Sequence, residues 1–405
     1  MEIHNYGKKY QQVIGRIKKA NISERNKELI LAMNDALVLE NLSKPRLMKY
    51  MEVMKKVAQK LSKDLDKATM EDLKRFVSEI QQSNFSPWTK QTYKVLLRRF
   101  YKWLYKTPGK EFPAVVSWIN IRMSKSEKRL PSEGDLLTEN DIEKLISTAN
   151  HPRDKALIAI LWESGARISE IGNSSLKHIC HDKHGILLTV RGKTGSRKIR
   201  LIWSVSYLST WLNNHPFRDD PEAPLWINIG NVRHKEPMEY PNIRKLIIKT
   251  AQEAGIKKRV NPHTFRHSRA TFMANHLTEF QMNQYFGWIQ GSDMPSTYVH
   301  MSGKNVDEAL LRMNGVAVEV NKNETKLIPR ICPRCDTINS QDSRHCNKCG
   351  GVLDLKYAME MEEMHQKGIN ERKTTDTMMN TLLQDKEVQE FLMSKLQSLG
   401  TKNLF

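Results

Sequence analysis

Long apolar runs are missing from this 405-residue sequence. No stretch approaches the roughly 20 apolar residues that a helix needs to cross a bilayer, which argues against a helical membrane protein. The first residues, Met1 to Gln12, are polar and charged, so we expect no signal peptide there. These absences predict a cytoplasmic protein without a membrane partner.

Cysteine is also scarce, with five in the whole chain. Cys180 stands alone, and the other four form two Cys-x-x-Cys pairs near the C-terminus, Cys332 with Cys335 and Cys346 with Cys349. In a reducing cytoplasm, paired thiols at this spacing favour a tetrahedral Zn²⁺ site over disulfides. We therefore predict a structural zinc-ribbon-like module at residues 329–353, without assigning it a role.

Acidic residues are the minority among the charged ones. The chain has 45 Asp and Glu against 65 Lys and Arg, a formal net charge of +20. Such a basic protein usually binds a polyanion, most often nucleic acid, and the alternative is a solvated basic surface without a partner. Hydrophobic residues make up 39% of the chain, which is enough for packed cores in two or three domains.

The N-terminal part has the apolar spacing of helices. Residues Glu71 to Ile80 place their apolar side chains on one helical face, and Ser86-Pro87 is a typical start for the next helix, which continues to Tyr105. The pattern then weakens among prolines and lysines. We predict an N-terminal extension (1–22), a helical domain (23–107) and a linker (108–135).

The second unit, predicted at residues 136–315, mixes helices with a small sheet. Gly185 to Arg191 and Lys198 to Trp203 are predicted strands with a turn around Thr194. The module at 329–353 and a helical tail at 354–405 follow. The fold class is therefore multidomain and mainly α-helical, with a small β-sheet.

Six residues of the second unit, most of them basic or nucleophilic, are candidates for a chemical site. Taken singly, each is more typical of surface or packing, but their order and local contexts change that interpretation. They are Arg167, Lys193, His263, Arg266, Trp288 and Tyr298.

The contexts of these residues resemble the catalytic domain of the tyrosine recombinase and integrase family, especially Xer-like and archaeal or phage integrase-type members. The matching motifs are GARISEIG, GKTGSRKIRL, PHTFRHSRAT, FGW and TYVH. The helical N-terminal part resembles, less specifically, the family's core-binding domain, which contacts DNA. The resemblance implies that all six active-site positions are filled, with Trp288 where many members have histidine.

The resemblance implies strand exchange on DNA through a 3′-phosphotyrosyl link, with Tyr298 as the nucleophile. Arg167 and Arg266 suit a bidentate clamp on the phosphate oxygens, because their charge is permanent and their geometry matches phosphate. Lys193, on the hairpin, is the candidate general acid for the departing 5′-oxygen. No metal is expected to take part in catalysis.

Supporting roles are predicted for three more residues. His263 is expected to assist proton movement at the tyrosine or to bond the phosphate, and Trp288 can only donate its indole N–H and pack. Glu170 is predicted to orient the cluster. Arg269 and His267 are interpreted as DNA contacts or structural residues, without a catalytic role.

The predicted partner is double-stranded DNA. A homotetramer is expected to join two duplexes, and the protein is expected to be associated with the nucleoid. Two alternatives stay open. One is a DNA-binding protein that kept the fold and lost the reaction, and the other is a type IB topoisomerase-like enzyme. The complete set of six residues argues against the first, and the Xer-like motifs argue against the second.

Overall fold

The protein is described by a computed structural model, which is mainly helical with two small sheets. The described residues are 2–124, 127, 132–192, 195–231, 233–301, 313–314, 327–341, 343–346 and 348–398. Within them, no helix is long and apolar enough to span a membrane.

Six helices build the N-terminal part and share one apolar core. The predicted helices at Glu71 to Ile80 and after Ser86 are confirmed. Thr69 and Asp72 form a capping box at the start of the first of these, and Ser86 accepts a hydrogen bond from the Thr89 amide at the start of the second. The helices are α1 (Tyr6–Lys18), α2 (Glu24–Leu39), α3 (Lys44–Leu61), α4 (Met70–Gln82), α5 (Pro87–Leu104) and α6 (Ala114–Ser117).

The residues before α2 are tied to both parts of the chain. Val13 and Ile17 of α1 are buried in the N-terminal core. Ile3 is buried in the core of the second unit, where its amide donates to Asn173 Oδ1 at 2.8 Å and its carbonyl accepts from the Tyr240 amide at 2.9 Å. The stretch predicted as an extension therefore contacts the cores of both parts.

The second unit surrounds a larger core with helices and one antiparallel sheet of order β1-β2-β3. Its helices are α7 (Glu139–Thr148), α8 (Pro152–Ser164), α9 (Ile168–Gly172), α10 (Val205–Asn213), α11 (Tyr240–Glu253), α12 (Pro262–Ala274), α13 (Glu279–Phe286) and α14 (Met294–Met301). Its strands are β1 (Ile179–Asp182), β2 (Gly185–Gly192) and β3 (Gly195–Leu201).

The sheet differs from the prediction in several places, and one of them is that β3 begins at Gly195 rather than Lys198. The short strand β1 was not predicted, because its side chains are half or fully exposed and carry no apolar alternation. The last strand ends at Leu201 rather than Trp203. The buried carboxylate of Glu163 on α8 accepts the amides of Ile202, Trp203 and Ser204 at 2.7, 2.9 and 2.8 Å, so these amides leave the strand ladder.

Beyond the second unit, the chain returns to its core at Leu327, which is buried there. A two-stranded sheet follows, formed by β4 (Arg330–Ile331) and β5 (Ile338–Asn339). The C-terminal part consists of the long helix α15 (Leu355–Gln384) and α16 (Lys386–Ser398). The C-terminal tail is helical in its described residues, as the sequence predicts.

Candidate active site

The pocket begins where α8 ends. Gly165 takes the left-handed conformation there, with φ of 52°, and a Cβ at this position would lie 2.6 Å from the Phe286 ring. Only glycine avoids both problems. The turn makes Arg167 the N-cap of α9, so that its side chain faces the loop after α13.

Two arginines are anchored on consecutive carbonyls of that loop. Arg167 Nη1 donates to the Gly287 carbonyl at 3.3 Å, and Arg266 Nη2 donates to the Phe286 carbonyl at 2.8 Å. Arg266 Nη1 also reaches the Gly165 carbonyl at 3.0 Å. These contacts bring together two guanidinium groups that lie 99 residues apart in the sequence, as a clamp on one phosphate would require.

Arg266 is only 7% exposed. Burial, and after it the positive charge of Arg167, lowers the pKa of Arg266 to about 10, which leaves the group charged at neutral pH. Its guanidinium carbon also lies 5.3 and 5.4 Å from the ring centroids of Phe286 and Trp288, within the range of cation–π attraction. A charge this enclosed acts strongly on an anion that enters the pocket.

Glu170 is the carboxylate beneath the arginines and is 2% exposed. It accepts the backbone amide of Arg167 at 2.9 Å and Arg167 Nη1 at 3.1 Å. Arg197 on β3 donates to the same carboxylate at 2.7 Å. A buried carboxylate needs such compensation, and it in turn fixes both guanidinium groups.

The tyrosine lies on α14 and is 2% exposed. Its ring stacks on Trp288 with centroids 5.4 Å apart and an interplanar angle of 4°. Its hydroxyl is 2.8 Å from His267 Nδ1. Burial raises the pKa of Tyr298, since the phenolate would lose its hydration.

The two remaining predicted residues are placed differently. His263 lies on α12 with an exposed side chain, one turn before the histidine that contacts the tyrosine. Lys193 and Thr194 lie outside the described residues, between Gly192, where β2 ends, and Gly195, where β3 begins.

Comparison with known proteins decides the family. Residues 135–304 match the model of the phage integrase family. Tyrosine recombinase XerA of Pyrococcus furiosus is 27% identical over 259 residues, which is 63% of this chain and 85% of the relative. Tyrosine recombinase XerD of Ralstonia nicotianae is 26% identical over 286 residues, covering 67% and 89%. Residues 135–304 belong to the phage integrase family, and the chain is similar to tyrosine recombinases.

Solved structures agree on the fold. XerH recombinase bound to a palindromic difH substrate, in a post-cleavage complex, aligns with a TM-score of 0.54 and 16% identity over 75% of this chain and 94% of that one. A lambda integrase tetramer bound to a Holliday junction aligns with a TM-score of 0.51 and 12% identity, covering 69% and 78%. The solved structures confirm the mainly helical recombinase fold. The family match and the relatives support the enzyme class, a site-specific recombinase that works through a tyrosine intermediate.

Sequence reasoning missed two pocket residues of the recombinase. His267 was given no catalytic role, although it follows His263 by four positions and so shares its helical face. Arg197 was not singled out, although it alternates with Ile199 and Leu201 on the inward face of β3. A search for ionisable side chains on inward-facing positions would have found both.

The four cysteines of the predicted zinc site also lie close together. The Sγ atoms of Cys332, Cys335, Cys346 and Cys349 all lie within 4.8 Å of one another. The pairs Cys332–Cys349 and Cys335–Cys346 are each 3.6 Å apart. Bonds of about 2.3 Å from a tetrahedral ion imply sulfur separations of about 3.8 Å, so the four thiols fit one metal ion.

Proposed function

We propose that this recombinase cuts and rejoins DNA through a 3′-phosphotyrosyl link at Tyr298. The observation that carries the proposal is the loop of Phe286, Gly287 and Trp288. Its two consecutive carbonyls hold Arg266 and Arg167, and the next side chain stacks on the tyrosine. One short segment thus connects the nucleophile to two phosphate-binding groups.

Each residue has a role that its surroundings support. Arg167 and Arg266 clamp the non-bridging oxygens, where negative charge grows in the transition state. Glu170 and Arg197 keep Arg167 oriented, through the bonds to the shared carboxylate. Trp288 packs against the phenol and leaves its indole N–H for the phosphate.

Two roles depend on the DNA-bound state. His263, exposed beside the buried Arg266, bonds the phosphate. Lys193, the residue that follows β2 in the sequence, donates a proton to the 5′-oxygen as it leaves. The tyrosine link conserves the phosphodiester energy, so rejoining needs no further energy source.

We further propose a division of labour along the chain. Residues 23–107 form the core-binding domain and 136–315 the catalytic domain, which together enclose a duplex. A groove between α3 and α5, with Arg46, Lys49 and Gln91 among its lining residues, suits the phosphate backbone. Four protomers join two duplexes at the nucleoid in the cytoplasm, as cyclic exchange of strands requires.

The four cysteines hold a structural Zn²⁺. Zinc supplies no reaction chemistry there and stabilises a module too small for a substantial core. Asn339 Nδ2 and the Lys348 amide point to Cys346 Sγ at 3.6 and 3.5 Å, which suits a thiolate ligand. Metal analysis of the reduced chain should give one zinc per chain, lost in Cys346→Ser. Full-length protein without bound zinc would contradict the site.

The experiment first selects DNA and then traps the intermediate. Duplexes bound by Tyr298→Phe are recovered from a random pool and remade with a nick beside the cleavage position. The wild-type chain should form a covalent adduct on these suicide substrates, and Tyr298→Phe should form none. Tyr105→Phe, at an exposed tyrosine that follows α5, serves as the matched control and should react normally.

The products separate the alternatives. Joined recombinant strands from two intact sites support the recombinase. Relaxation of supercoils without recombinants would favour a topoisomerase-like enzyme. Tight binding without an adduct on any selected site would favour a silent DNA-binding protein and would overturn the proposal.

A further inference from the structure

The tyrosine hydroxyl and the imidazole of His267 are within hydrogen-bond distance deep in the pocket. Tyr298 Oη lies 2.8 Å from His267 Nδ1, and their ring centroids are 5.9 Å apart. The histidine comes from α12 and the tyrosine from α14, so tertiary packing rather than chain neighbourhood creates this contact. The Trp288 indole stacks on the ring of Tyr298 and holds the phenol in place.

We infer that His267 is a further catalytic residue, the base that takes the phenol proton as Tyr298 attacks the scissile phosphate. The inference rests on the proposed role of Tyr298 as nucleophile. A bond forms between Tyr298 Oη and phosphorus while the bond from phosphorus to the 5′-oxygen breaks. The phenol proton passes to His267 Nδ1, and the 5′-oxygen receives its proton from the general acid, Lys193. In the rejoining step both protons return.

The surroundings explain why the reaction needs a base here. Burial raises the pKa of Tyr298 above its ordinary value of 10, so the phenol is protonated at neutral pH. Burial also lowers the pKa of His267, with further lowering by His263 and Arg266 on the same helix. The phenol of Tyr298 on α14 faces this imidazole from another element. The imidazole is therefore neutral, and its Nδ1 can accept the phenol proton.

The position of His263 does not suit removal of the phenol proton. Its ring centroid is 6.4 Å from that of His267, and its side chain is exposed. Proton movement at the tyrosine, which the sequence assigned to His263, is therefore better assigned to His267. A purely structural His267 would hold the phenol in place without taking its proton, so the test must separate these two roles.

The first measurement is single-turnover cleavage of a nicked suicide duplex by the full chain. General-base catalysis typically contributes about 10²–10⁴-fold, so His267→Gln should slow adduct formation by at least about 10²-fold. DNA affinity should hold, because the side chain faces Tyr298. The matched control is His276→Gln, at an exposed histidine just after α12 that contacts the Phe272 ring. It should react as the wild type does.

The second measurement changes the proton affinity of the phenol at position 298 and keeps the phenol in the same place. A fluorinated tyrosine at position 298 has a more acidic phenol and should restore much of the rate of His267→Gln. The wild-type rate should fall as pH decreases through the His267 pKa, because the protonated ring cannot accept. In His267→Gln this limb should be replaced by a rate that rises about tenfold per pH unit as the phenol ionises.

The third measurement separates the two proton transfers. A substrate with sulfur in place of the 5′-bridging oxygen has a leaving group that needs no proton. It should rescue Lys193→Ala and leave His267→Gln slow. Rescue of both variants to the same degree would show that His267 acts on the leaving group and would overturn the inference.

The outcomes separate this inference from the proposed function. Wild-type kinetics in His267→Gln, or no gain from the fluorinated tyrosine, would overturn the base while leaving the nucleophile intact. An adduct in Tyr298→Phe would overturn the nucleophile itself. Should His267→Gln fold poorly, the fluorinated tyrosine in the wild-type background decides the question. If His267 is the base, the cleavage rate of the chain with fluorinated tyrosine should fall less at low pH than the wild-type rate does. An unchanged pH profile would contradict the base.

Discussion

The N-terminal core and the tyrosine pocket are both buried, but the side chains that they bury differ in polarity and charge. The N-terminal core is made of apolar side chains such as Ile17, Leu97 and Phe100. A buried polar group there, Asn26, is neutral and bonds the Leu65 amide and the Lys63 carbonyl. The pocket instead encloses full charges, including Arg266 and Glu170.

This difference separates stability from function. Apolar burial contributes about 25 cal/mol for each Å² removed from water. Buried ion pairs are often no better for stability than apolar side chains of similar volume. The proposed function explains why charges that contribute little to folding are retained in the pocket, since an anionic phosphate would complete their set. Substitutions in the two regions should therefore change different observables.

Arg266→Met should have the largest effect, on strand cleavage. Removing one group that stabilises transition-state charge costs about 10²–10³-fold in rate. A substrate with a methylphosphonate at the scissile position carries no charge there, so its cleavage should depend less on Arg266. The measurement is the adduct-forming rate of wild type and variant on both substrates. An equal deficit on the two would contradict a phosphate clamp.

Leu97→Ala should act on stability and leave the chemistry intact. Leu97 is fully buried in α5, and truncation of such a leucine typically costs 2–5 kcal/mol, so we expect about 3 kcal/mol. Leu39→Ala, at an exposed leucine of α2, is the matched control and should change stability by less than about 0.5 kcal/mol. Thermal unfolding reports both. If Leu97→Ala lowered the cleavage rate at saturating DNA as far as Arg266→Met does, the distinction between the two regions would be wrong.

The same contrast explains what the sequence predicts. Helices α4 and α5 follow from apolar spacing and caps, because those signals are local. The gathering of Arg167, Arg266, Trp288 and Tyr298 follows from family motifs rather than from periodicity. The role of His267 and the Arg197–Glu170 bond depend on which elements pack together, and no local pattern carries that information. The end of β3 depends on Glu163, a carboxylate on another element.

Asp72 carries a charge in the N-terminal part, and it should have the smallest effect. Its carboxylate accepts the Thr69 amide at 3.0 Å and Lys63 Nζ at 2.9 Å, and these bonds, the amide first, lower the pKa of Asp72 from 3.8 to about 2. Since the folded pKa lies below the unfolded one, the stabilisation is complete above the unfolded pKa and is lost as pH falls through the folded pKa.

Asp72→Asn should therefore lower the thermal midpoint near neutral pH, and its gap to wild type should narrow between about pH 4 and pH 2. Glu71→Gln, at an exposed neighbour in the same helical turn, is the matched control and should show a smaller gap with little pH dependence. Strand cleavage near neutral pH should match wild type in both variants, because this carboxylate caps a helix and takes no part at the phosphate. A gap for Asp72→Asn that widened as pH fell would reverse the sign of the linkage and would contradict the cap.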